Sequence, residues 1–163
     1  MPSIEANVDD IDRDHLLRAV HLAASARSHG NDPFGAVLVT PTGMTVEAEN
    51  TVVTERDPTG HAETNLVRKA ATLLSDSELA AATLYTSTEP CAMCAGAIFW
   101  AGIPRVVYAL AESELNEMLP ESSVGLVLAL SSREVFARAG HPVELLGPVD
   151  VEGARDVHVG YWD

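Results

Sequence analysis

The sequence predicts an α/β fold whose sheet mixes antiparallel and parallel strand pairs. Three observations predict it. An apolar strand-like run at residues 34–40 and a second strand at 44–53 flank the turn signal Pro41-Thr42-Gly43, which reads as a β-hairpin. A second block reads strand, helix, strand over residues 83–86, 90–101 and 105–110, an order that implies a right-handed parallel crossover. Residues 9–28 and 61–74 carry apolar side chains at helical spacing.

Taken in order, the first helix spans residues 9–28. Asp10 or Asp12 can cap it, and Leu16, Leu17, Val20, Ala23 and Ala24 form its apolar face. His15 and His21 receive no role. Gly30-Asn31-Asp32-Pro33 ends the helix and turns the chain into the hairpin. A turn-rich segment, Asp57-Pro58-Thr59-Gly60, precedes the next helix, with Leu66, Val67, Ala70 and Leu74 on its buried side. Ser75-Asp76-Ser77 breaks that helix, and the alanine-rich run 79–82 leads into the next strand. The helix at 90–101 is apolar all round, which reads as buried. Beyond Ala111 the pattern weakens. Residues 112–119 read as a short helix or a loop over a site, 124–130 as an apolar run of open type, 132–139 as helical and 141–146 as a last strand. With no repeat, linker or composition break, residues 1–163 read as one domain.

The chemistry concentrates at two helix starts. Cys91 and Cys94 follow Pro90, and residues three apart share a helix face, so both thiols can reach one atom. Proline suits a first helical turn, and the positive end of a helix favours thiolate. His61-Ala62-Glu63 opens the other helix. One imidazole and two thiolates leave the fourth position of a tetrahedral zinc open, as catalytic zinc requires. The Cys-x-x-Cys pair alone also suits a redox site. The combination with His61-Ala62-Glu63, in this order and at both helix starts, argues for metal over a redox or purely structural pair. These are the only two cysteines, so no disulfide framework is available.

His-x-Glu followed by Pro-Cys-x-x-Cys is a zinc deaminase signature, and the chain resembles the cytidine-deaminase-like superfamily. The likeness extends over residues 10–110. It includes Asp32-Pro33-Phe34-Gly35-Ala36-Val37, Asn50, Asp57-Pro58-Thr59-Gly60-His61-Ala62-Glu63, Leu84-Tyr85-Thr86-Ser87 and Glu89-Pro90-Cys91-Ala92-Met93-Cys94. Within the superfamily it is most similar to bacterial guanine deaminases, with Tyr108-Ala109 matching their strand end. The resemblance implies a three-layer α/β/α sandwich around a mixed five-stranded sheet, and commonly a homodimer. It implies zinc on His61, Cys91 and Cys94, with Glu63 as the proton-transferring residue. It places Asn50, Ala62 and, by position after the strand, Glu114 at the substrate. Phe34 and Trp100 are candidate pocket walls. The ending Trp162-Asp163 resembles the aromatic and acid that close the pocket in fungal cytosine deaminases, which makes Asp163 a rival to Glu114.

Charge narrows the substrate. The net charge is −14, with one lysine and nine arginines. Binding to polynucleotides depends on neutralising phosphates, so this balance disfavours tRNA and favours a free base as the small-molecule partner. The expected reaction is hydrolytic deamination, with guanine first and cytosine, a nucleoside or an aminotriazine as alternatives. The 47% hydrophobic content includes no run long enough to span a membrane. The first seven residues lack the blocks of a signal peptide. Metal-ready thiols then make the cytoplasm the expected location.

Overall fold

The computed structural model describes residues 7–163. The first six residues, on which the reading of a missing signal peptide largely rests, lie outside the described part. Helix α1 (Asp10–Ser28) is followed by β1 (Gly35–Val39), β2 (Thr45–Glu49), the single turn α2 (Val52–Glu55), α3 (Ala62–Leu73) and the short α4 (Asp76–Leu79). Then come β3 (Thr83–Thr88), α5 (Ala92–Trp100), β4 (Arg105–Leu110), α6 (Glu112–Met118), α7 (Ser132–Ala137) and β5 (Glu144–Leu146). Two 3-10 segments, Glu121–Leu126 and Asp156–His158, occupy the C-terminal part.

The sheet has five strands in the order β2-β1-β3-β4-β5. β1 pairs antiparallel with both β2 and β3, while β3, β4 and β5 run parallel. Hairpin and crossover are therefore both present, joined through the β1–β3 pair. Alternate strand residues serve opposite faces. Val37, Tyr85, Val107 and Leu146 pack with Leu16, Ala19, Val20 and Leu22 of α1. Leu38, Leu84, Val106 and Tyr108 pack with Leu66, Ala70, Ala95 and Ile98 of α3 and α5. Covering both faces explains why these strands are apolar throughout rather than alternating.

A buried polar knot ties α1 to the sheet. Asp12 accepts from Tyr85 Oη at 2.7 Å and from the Arg105 guanidinium at 2.8 and 2.9 Å. Burial pushes its carboxyl up, but the Arg105, Tyr85 and Asp9 hydrogen bonds outweigh this and hold it at about 2. Gly35 lies where α1 crosses most closely: a Cβ there would stand 2.4 Å from the Ala19 carbonyl oxygen.

Several expectations are corrected. The cap of α1 is Asp9, in a reciprocal box with Asp12, because a cap must precede the first helical residue. The buried face of α1 is Leu16, Ala19, Val20, Leu22, Ala23 and Ala26, with Leu17 half-buried and Ala24 exposed. β2 stops at Glu49. Asn50 Oδ1 accepts the Val52 N–H, and Asn31 Oδ1 accepts those of Val53 and Thr54, so side chains replace the strand partner and start α2. α5 is not buried all round. Cys94, Ala95 and Ile98 are buried and Phe99 packs beside them, whereas Met93 and Trp100 are exposed, Trp100 at 84%, because they lie on the side of the helix turned away from the core. The apolar run at 124–130 forms no strand, and Leu126 and Leu128 are exposed. No described helix is long and apolar enough to cross a membrane.

Candidate active site

Both metal-binding segments are helix N-termini, set side by side at the end of the sheet. His61 is the N-cap of α3, and Glu63 lies in its first turn. Cys91, not Pro90, is the N-cap of α5, and Cys94 sits three residues into the helix. Proline is thus placed just before the cap, where its fixed backbone leads the chain into the helix. β3 delivers Thr86 and Thr88 immediately before this turn.

The three ligand atoms of His61, Cys91 and Cys94 lie within 4.8 Å of one another. His61 Nδ1 stands 3.5 Å from Cys91 Sγ and 3.6 Å from Cys94 Sγ. Bond lengths of about 2.3 Å to sulfur and about 2.0–2.1 Å to nitrogen at a tetrahedral angle predict an edge of about 3.6 Å. The spacing therefore fits zinc, and Nδ1 is the nitrogen that converges. The thiols show the same need. Hydrogen bonding with Cys94, reinforced by His61, drives the Cys91 thiol down, while Cys91 and burial drive Cys94 up. Two adjacent thiolates repel, and a dication between them lets both ionise. Thr64 Oγ1, 3.2 Å from Cys94 Sγ, is placed to donate to that thiolate.

Glu63 is 5% exposed, and burial raises its carboxyl. The Thr86 hydroxyl lies 2.6 Å from Glu63 Oε1 and 3.0 Å from the Thr88 carbonyl oxygen. This pairing accommodates either protonation state. Thr86 donates to the carboxylate, or the carboxylic acid donates to Thr86, which turns its own hydrogen to the carbonyl.

A cavity of about 140 Å³ opens above these groups, walled by Phe34, His61, Glu63, Thr88, Glu89, Cys91, Glu112 and Leu115. Larger grooves elsewhere, such as one of about 530 Å³ along residues 148–156, lie apart from this chemistry. Glu89 braces the rim: Oε2 accepts the Glu112 N–H at 3.1 Å and Oε1 accepts from the Ser132 hydroxyl at 3.0 Å. Burial, then the charges of Glu89 and Cys91, push Glu112 up to about 6.

The expected substrate contacts separate. Phe34 walls the cavity. Asn50 is buried at the end of β2, its N–H donated to the Phe34 carbonyl and its Oδ1 held by Val52. Ala62 opens α3 and is packed in the core. Glu114 does not face the cavity: its Oε2 accepts the Ala111 N–H at 3.2 Å, closing the N-terminus of α6, and it lines the separate 530 Å³ groove. Trp100 lies at the far end of α5, against Phe99 and open to solvent. Asp163 is exposed. Residues that sequence reasoning missed take their places: Thr88, Glu89, Glu112 and Leu115 at the cavity, and His158 against Phe34. Thr88 and Glu89 belong to the run leading to Cys91 and were legible as neighbours. His158 had no local signal.

Residues 9–110 match the family model of the cytidine and deoxycytidylate deaminase zinc-binding region. A probable cytosine deaminase of Schizosaccharomyces pombe is 37% identical over the whole chain and 98% of its own length. A guanine deaminase of Bacillus subtilis is 45% identical over 63% of this chain and 66% of that one. The crystal structure of a guanine deaminase from Bacillus subtilis superposes with a TM-score of 0.61 at 41% identity, covering 68% of this chain and 69% of that one.

Proposed function

The chain belongs to the cytidine and deoxycytidylate deaminase zinc-binding family and is a zinc-dependent aminohydrolase, and we propose that its substrate is a free, single-ring amino-heterocycle, cytosine before guanine. The observation that carries this is the cavity itself. A buried proton carrier stands beside a three-ligand zinc set, under a space of about 140 Å³. That is smaller than the roughly 300–1,000 Å³ of drug-sized ligand pockets and suits one small heterocycle. Guanine was expected first from the resemblance to guanine deaminases, with Glu114 reading the base, and Glu114 is engaged in capping α6. The packing of Trp162 and His158 against Phe34 instead supports closure by the C-terminal segment. Kinship along the full chain to a probable cytosine deaminase supports the same order.

Held by His61, Cys91 and Cys94, zinc supplies acidification of water toward neutral pH. The remaining work falls to the chain. Glu63, its carboxyl raised by burial, takes one proton from the attacking water and gives it to a ring nitrogen. As the C–N bond breaks, it takes the second proton from the hydroxyl newly bonded to the ring carbon and gives it to the departing amine, which leaves as ammonia. Thr86 follows each change by reversing its hydrogen bond. Phe34 holds the ring face-on and keeps water out. Glu112 offers an acceptor to an N–H edge. The pairing of such subunits as homodimers and a cytoplasmic location are further parts of this reading. One acidic domain over residues 1–163, with few cations, suits free bases over tRNA.

The test is ammonia release from the zinc-loaded protein over cytosine, guanine, nucleosides, aminotriazines and tRNA. Cytosine should lead. Glu63→Gln should retain zinc and lose roughly 10²–10⁴-fold in turnover. Guanine turned over faster than cytosine would restore the original order, and activity confined to tRNA with steep salt dependence would overturn the reading.

A further inference from the structure

Among the described residues the cavity is lined by none beyond Leu115, yet the end of the chain packs behind two of its walls, Phe34 and Thr88. His158 closes the 3-10 segment Asp156–His158 and is 1% exposed. Its ring lies 5.3 Å from that of Phe34 and is stacked with Trp162 at 15°. The segment is held on both sides. Arg27 donates to the carbonyls of Val157 and Val159 at 2.9 and 2.8 Å, and Tyr161 Oη donates to Asp32 at 2.7 Å.

Two contacts define the imidazole. Trp162 Nε1 lies 3.3 Å from His158 Nδ1, and His158 Nε2 lies 3.5 Å from Thr88 Oγ1. Both are long, as polar contacts around a site commonly are before a ligand seats. An indole N–H only donates, so Nδ1 is the acceptor and the ring proton sits on Nε2. Burial, helped by Arg27, holds the imidazole near 4, so the ring is neutral at pH 7. Nε2–H then points at the Thr88 oxygen. Thr88 has one hydroxyl hydrogen, and it lines the cavity.

We infer that the C-terminal segment turns Thr88 into a fixed hydrogen-bond donor that reads a ring carbonyl on the substrate. Trp162 selects the His158 tautomer, and His158 occupies a lone pair of Thr88 Oγ1. The Thr88 hydrogen is thereby directed into the cavity. Thr88 touches substrate; His158 and Trp162 are positioning residues. The substrate part rests on the deaminase reading, and the tautomer does not.

The experiment has two arms, so that failure of one reading is distinguishable from failure of the other. Long-range ¹⁵N NMR of the intact protein should show His158 as the Nε2–H tautomer at pH 7, still neutral at pH 5.5, with Trp162→Phe mixing the tautomers. An Nδ1–H ring or an imidazolium at pH 7 overturns the inference whether or not any base is turned over. In kinetics on cytosine, Thr88→Val should lose roughly tenfold in kcat/KM, mostly through KM, while Thr88→Ser stays within about threefold. 4-Aminopyrimidine, which lacks the carbonyl, should be insensitive to Thr88→Val. His158→Gln, which keeps a donor near Nε2, should retain most activity. His158→Phe should match Thr88→Val and add little to it in the double variant. Independent, additive losses would overturn the relay. Should His158→Phe fail to fold, Trp162→Phe and the Thr88 pair still decide it.

Discussion

Replacing Asp12 by asparagine removes a charge at the junction of α1 with the sheet while keeping the side chain's size. Asp12 is 5% exposed and accepts from Tyr85, Arg105 and the Asp9 backbone. Its carboxyl is held at about 2 against an ordinary 3.8. At 1.36 kcal/mol for each tenfold change in proton affinity, this corresponds to about 2 kcal/mol. The folded value is depressed, so the unfolded chain takes up the proton first as pH falls. The stabilisation is complete above pH 4, about half lost near pH 3, and gone as pH drops through 2. Among the described residues, asparagine also leaves the Arg105 guanidinium with Glu144, at 3.3 Å, as its charged partner. Together these predict a loss of about 2–3 kcal/mol at pH 7 for Asp12→Asn, or roughly 5–10 °C in Tm for a chain of this size. Urea denaturation of both proteins at pH 7, 5, 4 and 3 measures it. The two curves should converge as the medium becomes acidic. Equal stability at pH 7, or a difference that persists unchanged to pH 3, would refute the argument that this ion pair is net stabilising.

Three further outcomes follow from the geometry. Gly35→Ala forces a methyl to within 2.4 Å of the Ala19 carbonyl, so α1 must retreat, costing about 2–3 kcal/mol by urea denaturation and weakening substrate binding through Phe34. Removing zinc with a chelator, or substituting Cys94→Ser, should lower Tm and metal content together, because α3 and α5 are joined at their N-termini through the site; full zinc occupancy in Cys91→Ser/Cys94→Ser would dismiss the ligand set. Glu114→Ala should cost about 0.5–1 kcal/mol of α6 stability and leave kcat/KM within about threefold, whereas deleting residues 161–163 should raise KM at least tenfold. The reverse ranking would return Glu114 to the substrate and guanine to first place.

What was readable from residues alone had short-range causes. Cys91 and Cys94 lie three apart at one helix start, a spacing that the helical period turns into convergence, and His61 and Glu63 open another, where the extended backbone of the His61 cap lets both face the cavity. The hairpin and the parallel crossover were legible from equally local signals, the apolar runs of β1 and β4 and the turn residues Pro41-Thr42-Gly43 before β2 and Gly102-Ile103-Pro104 before β4. Even the alignment-like order of the motifs sufficed to bring the metal, the carboxylate and the fold class together.

Where two residues of the same type competed, the sequence could not choose. Glu112 and Glu114 both open α6; the hydrogen bond that Glu114 makes to Ala111 N–H leaves Glu112 facing the cavity, and that choice depends on Glu89 receiving the Glu112 N–H from 23 residues away. Trp100 and Phe34 were equal candidates for the wall until the packing of α5 on one sheet face left Trp100 outside. His158 gained its place only because Arg27 and Asp32, more than a hundred residues earlier, hold the C-terminal segment against Phe34. The sequence by itself determined the convergence of His61, Cys91 and Cys94, the placement of Glu63 beside them and the α/β class, because short stretches at two helix starts aim those side chains. Only the tertiary structure decided which acid, which aromatic and which histidine meet the cavity, because burial of one side chain over its equivalent is set by contacts between distant segments.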